Sequence, residues 1–420
     1  MQRRDMIKGG AALAALAASK SFAAPILSPD NFGVTLATAS RRNGWIEVDA
    51  AAFEANIATV RATIGAARLC AVMKADAYGN GMALLIPSII RQRVTDVAIT
   101  SNDEARVARA LGYRGRLIRI RTALPEEMAD ALPYAVEELV GNAEAARRLA
   151  ALAGNRKIPI HLALNAGGMS RNGVELSASY GKAEARAILA MPALHIVGAM
   201  THYPSEEPDD ILAQLRHYQD DCTWLASEGL SPRNLTHHTA NTFATLTVPA
   251  TRLDMVRVGG AIYGDPGSVK TTAYHPVPTI KSRVAAINHF PASQTVNYDR
   301  TYRLTRESWL ANIPIGYSDG IRRGFSHANR PEFPAENTNS TQVLIGGNRY
   351  PVVGRVTMNT LMVDVTGHQD QLAIDNEVVL LGAQGADRIT QAEFENNSSA
   401  YAPEMLAVLG ATLPKVLAAP

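Results

Sequence analysis

Seven side chains in this chain could do chemistry beyond what folding asks, and each stands in or just past a short apolar run. Lys74 and Tyr78 follow one run, Arg171 another, His202 a third, and Asn241 with Thr242 a fourth, while Arg257 lies inside a fifth. A lysine directly after an apolar strand, as in AVM-Lys74-ADAYGNG, is partly desolvated, and a desolvated amine can form a Schiff base with a carbonyl cofactor. One such lysine alone is ordinarily a solvated loop residue; the recurrence of polar groups after successive runs points to a shared site. Metal chemistry is not expected. His237 and His238 are adjacent and would face opposite ways on a strand, and no other His or Cys group has ligand spacing.

A site assembled this way needs strands that end side by side. The apolar runs read as strands over 68–73, 95–100, 116–121, 135–141, 158–164, 195–201, 234–238 and 254–259, with Ala- and Leu-rich helical stretches between them and Asn102 and Asn142 as helix N-caps. Eight strand–helix units in roughly 200 residues fit an α/β fold of the closed (β/α)8 type, whose chemistry gathers at the C-terminal strand ends. After Gly267 the helical period fades. Residues 343–353 read as a hairpin turning at Gly346, Gly347 and Asn348, and 376–382 as a buried strand, so a mostly β C-terminal domain is expected. The 420 residues carry 41 Lys+Arg against 39 Asp+Glu, with 47% hydrophobic residues and two cysteines. Such a balance excludes a strongly basic nucleic-acid binder, a mainly disordered chain and a disulfide scaffold. Cys70 and Cys222 read as thiols rather than a pair.

The run VMKADAYGNG (72–81) resembles the cofactor-lysine motif of the alanine racemase family, and the resemblance extends from about residue 42 to 415. It implies pyridoxal 5'-phosphate bound by Lys74, with Tyr78 at its phosphate, and His202 beside the pyridine ring. DMVRVGGAIYG (254–264) resembles the family's pyridine-nitrogen arginine, Arg257, followed by phosphate-binding backbone at Gly259 and Gly260; Asn241 and Thr242 match a phosphate-contacting pair, and Tyr401 adds a hydroxyl. Adjacent glycines let backbone N–H groups come close to phosphate oxygens. An arginine keeps its proton at neutral pH, so a ring nitrogen facing it stays unprotonated and the cofactor is a weaker electron sink. VNYDRTY (296–302), IPIGYSDG (313–320) and VGRVTMN (353–359) fall in the family's order. They imply Tyr298 as the second proton carrier, opposite Lys74 and supplied across a homodimer interface, with Tyr317, Thr357, Met358 and Asn359 near the substrate. A phenol's unperturbed pKa is near 10, so such a base needs neighbouring cations.

Two departures stand out. Alanine-restricted members commonly have H-L-K-x-D-T-G-M-G-R in the fifth strand, with the lysine often carbamylated; here HLALNAGGMSRNG (161–173) puts Ala163 at the lysine's place and one extra residue before Arg171. Arg171, expected to touch both cofactor and substrate, then needs another counter-charge, for which a bound chloride is the expectation. Asn359 stands where a carboxylate is usual. The N-terminus has Arg3 and Arg4, a short apolar stretch over 9–19, and Ser21 and Ala23 at the places of a cleavage site, which resembles a twin-arginine export signal too short to span a membrane stably. These features together resemble the periplasmic broad-specificity amino-acid racemases, which accept longer and basic side chains such as Lys and Arg. The alternatives are an alanine-specific racemase, a barrel decarboxylase of basic amino acids, which Arg257 opposes, and a binding protein for cofactor or amino acid without turnover. The expected organisation is an export signal (1–23), a linker (24–41), a cofactor-binding barrel (42–274) and a C-terminal β domain (275–420).

Overall fold

The computed structural model describes residues 43–326 and 341–419; the export segment and linker expected over 1–41 lie outside them. A first strand, β1 (Gly44–Val48), precedes eight more, and each falls on one of the eight apolar runs: β2 (Arg68–Val72), β3 (Asp96–Ile99), β4 (Arg116–Arg119), β5 (Val136–Val140), β6 (Ile158–Ala163), β7 (Leu194–Met200), β8 (Thr236–His238) and β9 (Met255–Val258). The eight pair in parallel in the order β8-β7-β6-β5-β4-β3-β2-β9. Backbone bonds from Asp254 N–H to His237 O (3.2 Å) and from Arg257 N–H to Ala240 O (2.9 Å) join the two ends of that order and close the barrel.

The helices that cover the barrel form where capping and apolar spacing agree. Asp49 accepts from Ala52 N–H to start the helix Ala50–Ile64, which buries Phe53, Ile57, Val60 and Ile64 at three- and four-residue spacing. Asn142 caps Ala143–Leu152 as expected. Asn102 does not cap its helix. Ser101 does, in a capping box with Glu104, and the Asn102 side chain instead accepts from Arg119 Nη2 (2.6 Å) and donates to Glu127 O (2.9 Å).

Past the barrel, β10 (Pro278–Arg283), β11 (Ala286–Phe290), β12 (Ser308–Ile313), β13 (Gln342–Ile345), β14 (Asn348–Val353), β15 (Leu361–Asp364), β16 (Glu377–Gln384), β17 (Asp387–Ile389) and β18 (Lys415–Leu417) build a second sheet. Its order is β11-β12-β15-β14-β13-β16-β10-β1-β18, with β17 on β16. β1 therefore leaves the barrel segment it precedes in sequence, pairing antiparallel with β10 and parallel with β18. The hairpin turn is Gly346 and Gly347 alone, both at positive φ; Asn348 already pairs with Ile345 as the first residue of β14. A single apolar cluster runs from Phe53 and Ile57 through Ile46 to Ile280, Ile313 and Val343, so barrel and sheet share a core. Cys70, inside the barrel, and Cys222 carry free thiols. Among the described residues no helix is long and apolar enough to cross a membrane.

Candidate active site

Lys74 is the second residue beyond β2 and opens a turn of unusual hand. Ala75, Asp76, Ala77 and Tyr78 all have φ between 53 and 59°, in the left-handed region. Each costs about 1–2 kcal/mol relative to the right-handed form, so the turn has to be held from outside. Asp76 does most of this: its N–H donates to Glu104 Oε1 (3.4 Å), its Oδ1 accepts from Met82 N–H (2.7 Å), and its Oδ2 pairs with Lys415 Nζ (2.8 Å) from the far end of the chain. The helix Ala402–Thr412 packs on the turn so closely that a Cβ on Gly410 would lie 2.4 Å from Gly79 Cα. The Lys74 side chain is accessible from a cavity above the barrel, yet enough protein surrounds its ammonium that burial lowers its pKa, with Arg171 and Arg257 adding to the effect and Glu104 opposing it.

Arg257, on β9, is 4% exposed and points along the barrel interior. Its Nη1 donates to His238 O (2.6 Å) and His238 Nδ1 (3.0 Å); its Nη2 donates to Thr201 O (3.0 Å), Thr239 O (3.1 Å) and His202 Nδ1 (3.1 Å). The Nε–H takes no acceptor among the described residues. His202 is held neutral, its pKa lowered to about 3 by burial and by the charges of Arg257, Arg171 and Lys74. Gly259 follows β9, and a Cβ there would lie 2.3 Å from Tyr78 Oη, so glycine is what lets that hydroxyl reach the backbone. Tyr78 leans on Tyr263 (centroids 4.9 Å apart, planes at 30°), whose hydroxyl donates to Val72 O (3.0 Å).

Lys74, Tyr78, Arg171, His202, Asn241, Thr242, Arg257, Gly259, Gly260 and Tyr401 all line one cavity of about 260 Å³. The donor set suits a phosphorylated pyridine aldehyde: an amine for the aldehyde, a guanidinium N–H without a protein acceptor for a ring nitrogen, and hydroxyls around a glycine backbone for a phosphate. Two family models match the chain, "Alanine racemase, N-terminal domain" over residues 48–266 and "Alanine racemase, C-terminal domain" over 277–417. The chain belongs to the alanine racemase family. Members of this family are pyridoxal-phosphate-dependent isomerases. The chain is 47% identical to a broad specificity amino-acid racemase of Pseudomonas putida, with 99% of each chain covered. It is 45% identical to a lysine racemase of Proteus mirabilis, with 89% of each covered. Among solved structures it resembles an alanine racemase of Bacillus anthracis with bound L-Ala-P, with a TM-score of 0.80, 26% identity, and 90% of this chain and 95% of that one covered.

Apart from Arg171, the substrate-side residues that the family resemblance implies are not brought to this cavity. Tyr298, 65% exposed, begins the short turn Tyr298–Arg300, and neither it nor Tyr317, Thr357, Met358 or Asn359 lines the cavity of its own chain. The last four sit together: Tyr317 N–H donates to Thr357 O (3.0 Å), Ser318 N–H to Met358 O (2.9 Å), and Asn359 Nδ2 to Ser318 Oγ (2.9 Å). Ala163 is buried against Leu139 and Met200, and Arg171 makes no ion pair among the described residues. Sequence reasoning passed over Asn172, Glu206 and Asp265, which also line the cavity, and Tyr263 beneath Tyr78. Tyr263 and Asp265 stand in or next to the GGAIYG run, which was the available signal. Tyr401 immediately precedes the helix Ala402–Thr412 at the cavity mouth, its phenol raised to about 12 by burial and by Asp265, Glu395 and Glu206.

Proposed function

We propose that this chain is a broad-specificity amino-acid racemase, exported to the periplasm by its twin-arginine-like N-terminus, in which two copies share each active site. One observation carries the reading: ten candidate cofactor residues line one cavity, while Tyr298 stands exposed outside it, available to a second copy. Lys74 would hold pyridoxal phosphate through Nζ, Arg257 would face its ring nitrogen, His202 would lie beside the ring, and Tyr78, Asn241, Thr242, Gly259, Gly260 and Tyr401 would hold the phosphate. When bound, the cofactor supplies the electron withdrawal that acidifies an amino acid's α-hydrogen.

The chain's own residues then account for the outcome. Lys74 Nζ, its pKa lowered by burial, has more of the neutral amine needed to take a proton on one face. The partner subunit's Tyr298 carries a proton at Oη on the other face, so removal on one side and return on the other inverts the centre. Arg257 is lowered by burial only to about 10, still far above neutrality, and so does not protonate a ring nitrogen. The weak electron sink that results disfavours decarboxylation. Arg171, without an ion pair among the described residues, supports a bound chloride as the stand-in for the missing carbamylated lysine. Breadth of substrate is supported by Ala163 and Asn359 and by the broad-specificity and lysine racemases among its relatives.

The test is a panel of L-alanine, serine, methionine, lysine, arginine and ornithine, followed by chiral analysis with purified, visibly yellow protein. Conversion of several, lysine and arginine included, is expected. Conversion of alanine alone would make it an alanine-specific racemase, carbon dioxide release a decarboxylase, and colour without turnover a binding protein.

A further inference from the structure

Behind Arg257 a line of polar side chains runs through the barrel interior, where apolar residues would ordinarily pack. His238 Nε2 lies 2.7 Å from His161 Nδ1, and His161 Nε2 lies 2.8 Å from Glu137 Oε2. Arg116 closes the line, holding Glu137 through Nε (2.9 Å) and Nη2 (2.7 Å). His161 and His238 have no exposed surface, and the four members from Glu137 to Arg257 come from β5, β6, β8 and β9. Room for the His161 ring is made by Gly198 on β7: a Cβ there would lie 2.2 Å from His161 Nδ1. The β6–β7 pairing also slips register between Ile160 and His161, at the residue that enters the line.

The hydrogens in this line can be assigned from its two ends. Arg257 has no acceptor, so His238 Nδ1 accepts from it and the proton of a neutral His238 sits on Nε2. His161 Nδ1 then accepts, and its proton sits on Nε2, donated to the Glu137 carboxylate. Burial lowers the pKa of both histidines, in keeping with two neutral rings. We propose that His161 and Glu137 are positioning residues for Arg257: they fix the Nε2–H form of His238, and only that form leaves an acceptor facing the Arg257 guanidinium. With the chain broken, His238 loses the acceptor for its Nε2–H, can carry its proton on Nδ1 against Arg257, and pushes the guanidinium from its place. This inference rests on reading the cavity as a pyridoxal-phosphate site with Arg257 at the ring nitrogen.

Nitrogen-15 NMR of histidine-labelled wild-type protein without cofactor tests the assignment directly. Both rings should be neutral with hydrogen on Nε2; hydrogen on Nδ1 of His238, or a charged ring, overturns the proposal. In holoenzyme loaded with cofactor labelled at the ring nitrogen, wild type should give the unprotonated shift. His161→Phe, which keeps ring volume and removes both bonds, should move that shift toward the protonated value and lower kcat about tenfold or more with little change in KM. His161→Gln, whose amide can accept from His238 and donate to Glu137, should recover part of both effects. Should His161→Phe fail to fold, Gly198→Ala, which crowds His161 without removing a polar group, takes its place with the same expected shift. A ring-nitrogen shift equal to wild type in a folded variant overturns the proposal. If wild type itself takes up no cofactor, the site reading fails instead, and the tautomer measurement still decides the relay.

Discussion

Gly259 and Tyr78 illustrate how one residue's backbone sets another's reach. Gly259 lies where the strand ends and its missing side chain is the space the Tyr78 hydroxyl occupies. Gly259→Ala should therefore fold, since the change lies past the strand, but drive the tyrosine off the backbone. An overpacking penalty of about 1–3 kcal/mol corresponds to a roughly 5- to 150-fold weaker affinity for pyridoxal phosphate. Fluorescence titration of apoprotein checks it, and wild-type affinity would show that Tyr78 takes no part. This pairing was half legible in sequence. Adjacent glycines after an apolar strand announce a close backbone approach, but that a tyrosine 181 positions earlier fills the space follows only from the β2–β9 pairing of Cys70 with Arg257.

At the scale of elements, most barrel strands were readable because short, mainly apolar runs recur between helical stretches, although β8 is only THH and β5 carries Glu137 and Glu138. β1 was not readable as part of the second sheet, since its partner Ile280 lies far along the chain and nothing in GWIEV names it. Nor was Ser101 as the cap, because Asn102 beside it has equal intrinsic standing. The left-handed turn after Lys74 is the sharpest case. KADAY contains no glycine, so local preference argues against four successive residues at positive φ, and the conformation exists because Asp76, Glu104 and Lys415 hold it. Asp76→Ala removes the acceptor of Met82 N–H and the partner of Lys415 together. A loss of about 1–3 kcal/mol is expected, concentrated in the turn, so cofactor release should speed up more than the global melting temperature falls. Stopped-flow exchange of bound cofactor set against a thermal melt separates the two, and equal effects would place Asp76 in general stability only.

For the whole molecule, the polar line inside the barrel makes the fold acid-sensitive. Burial lowers His161 and His238, which stay neutral when folded, whereas an unfolded histidine takes up a proton below about pH 6.5. The unfolded chain then binds more protons, so stability falls as pH drops through that value, by up to about 1.4 kcal/mol per pH unit for each ring. Burial works to raise Glu137, but bonds from His161 and Arg116 bring it to about 2, so a second loss begins near pH 4.3 and deepens toward 2. Urea midpoints between pH 8 and 5 should decline, and a flat profile would contradict two neutral buried histidines. The order of motifs along the chain showed that the lysine and the tyrosine lie in different parts; which copy's tyrosine meets which lysine is a property of the assembly. Lys74→Ala and Tyr298→Phe test it without a picture of the interface. Each homodimer should be inactive or nearly so. Unfolded together and refolded, equal amounts would form hybrids in half the dimers, and in each hybrid one site joins an intact Lys74 to the partner subunit's Tyr298. Half of the sites in half of the dimers gives about a quarter of wild-type activity. If lysine and tyrosine instead met within one chain, every site in the mixture would lack one of the two, and mixing would restore nothing.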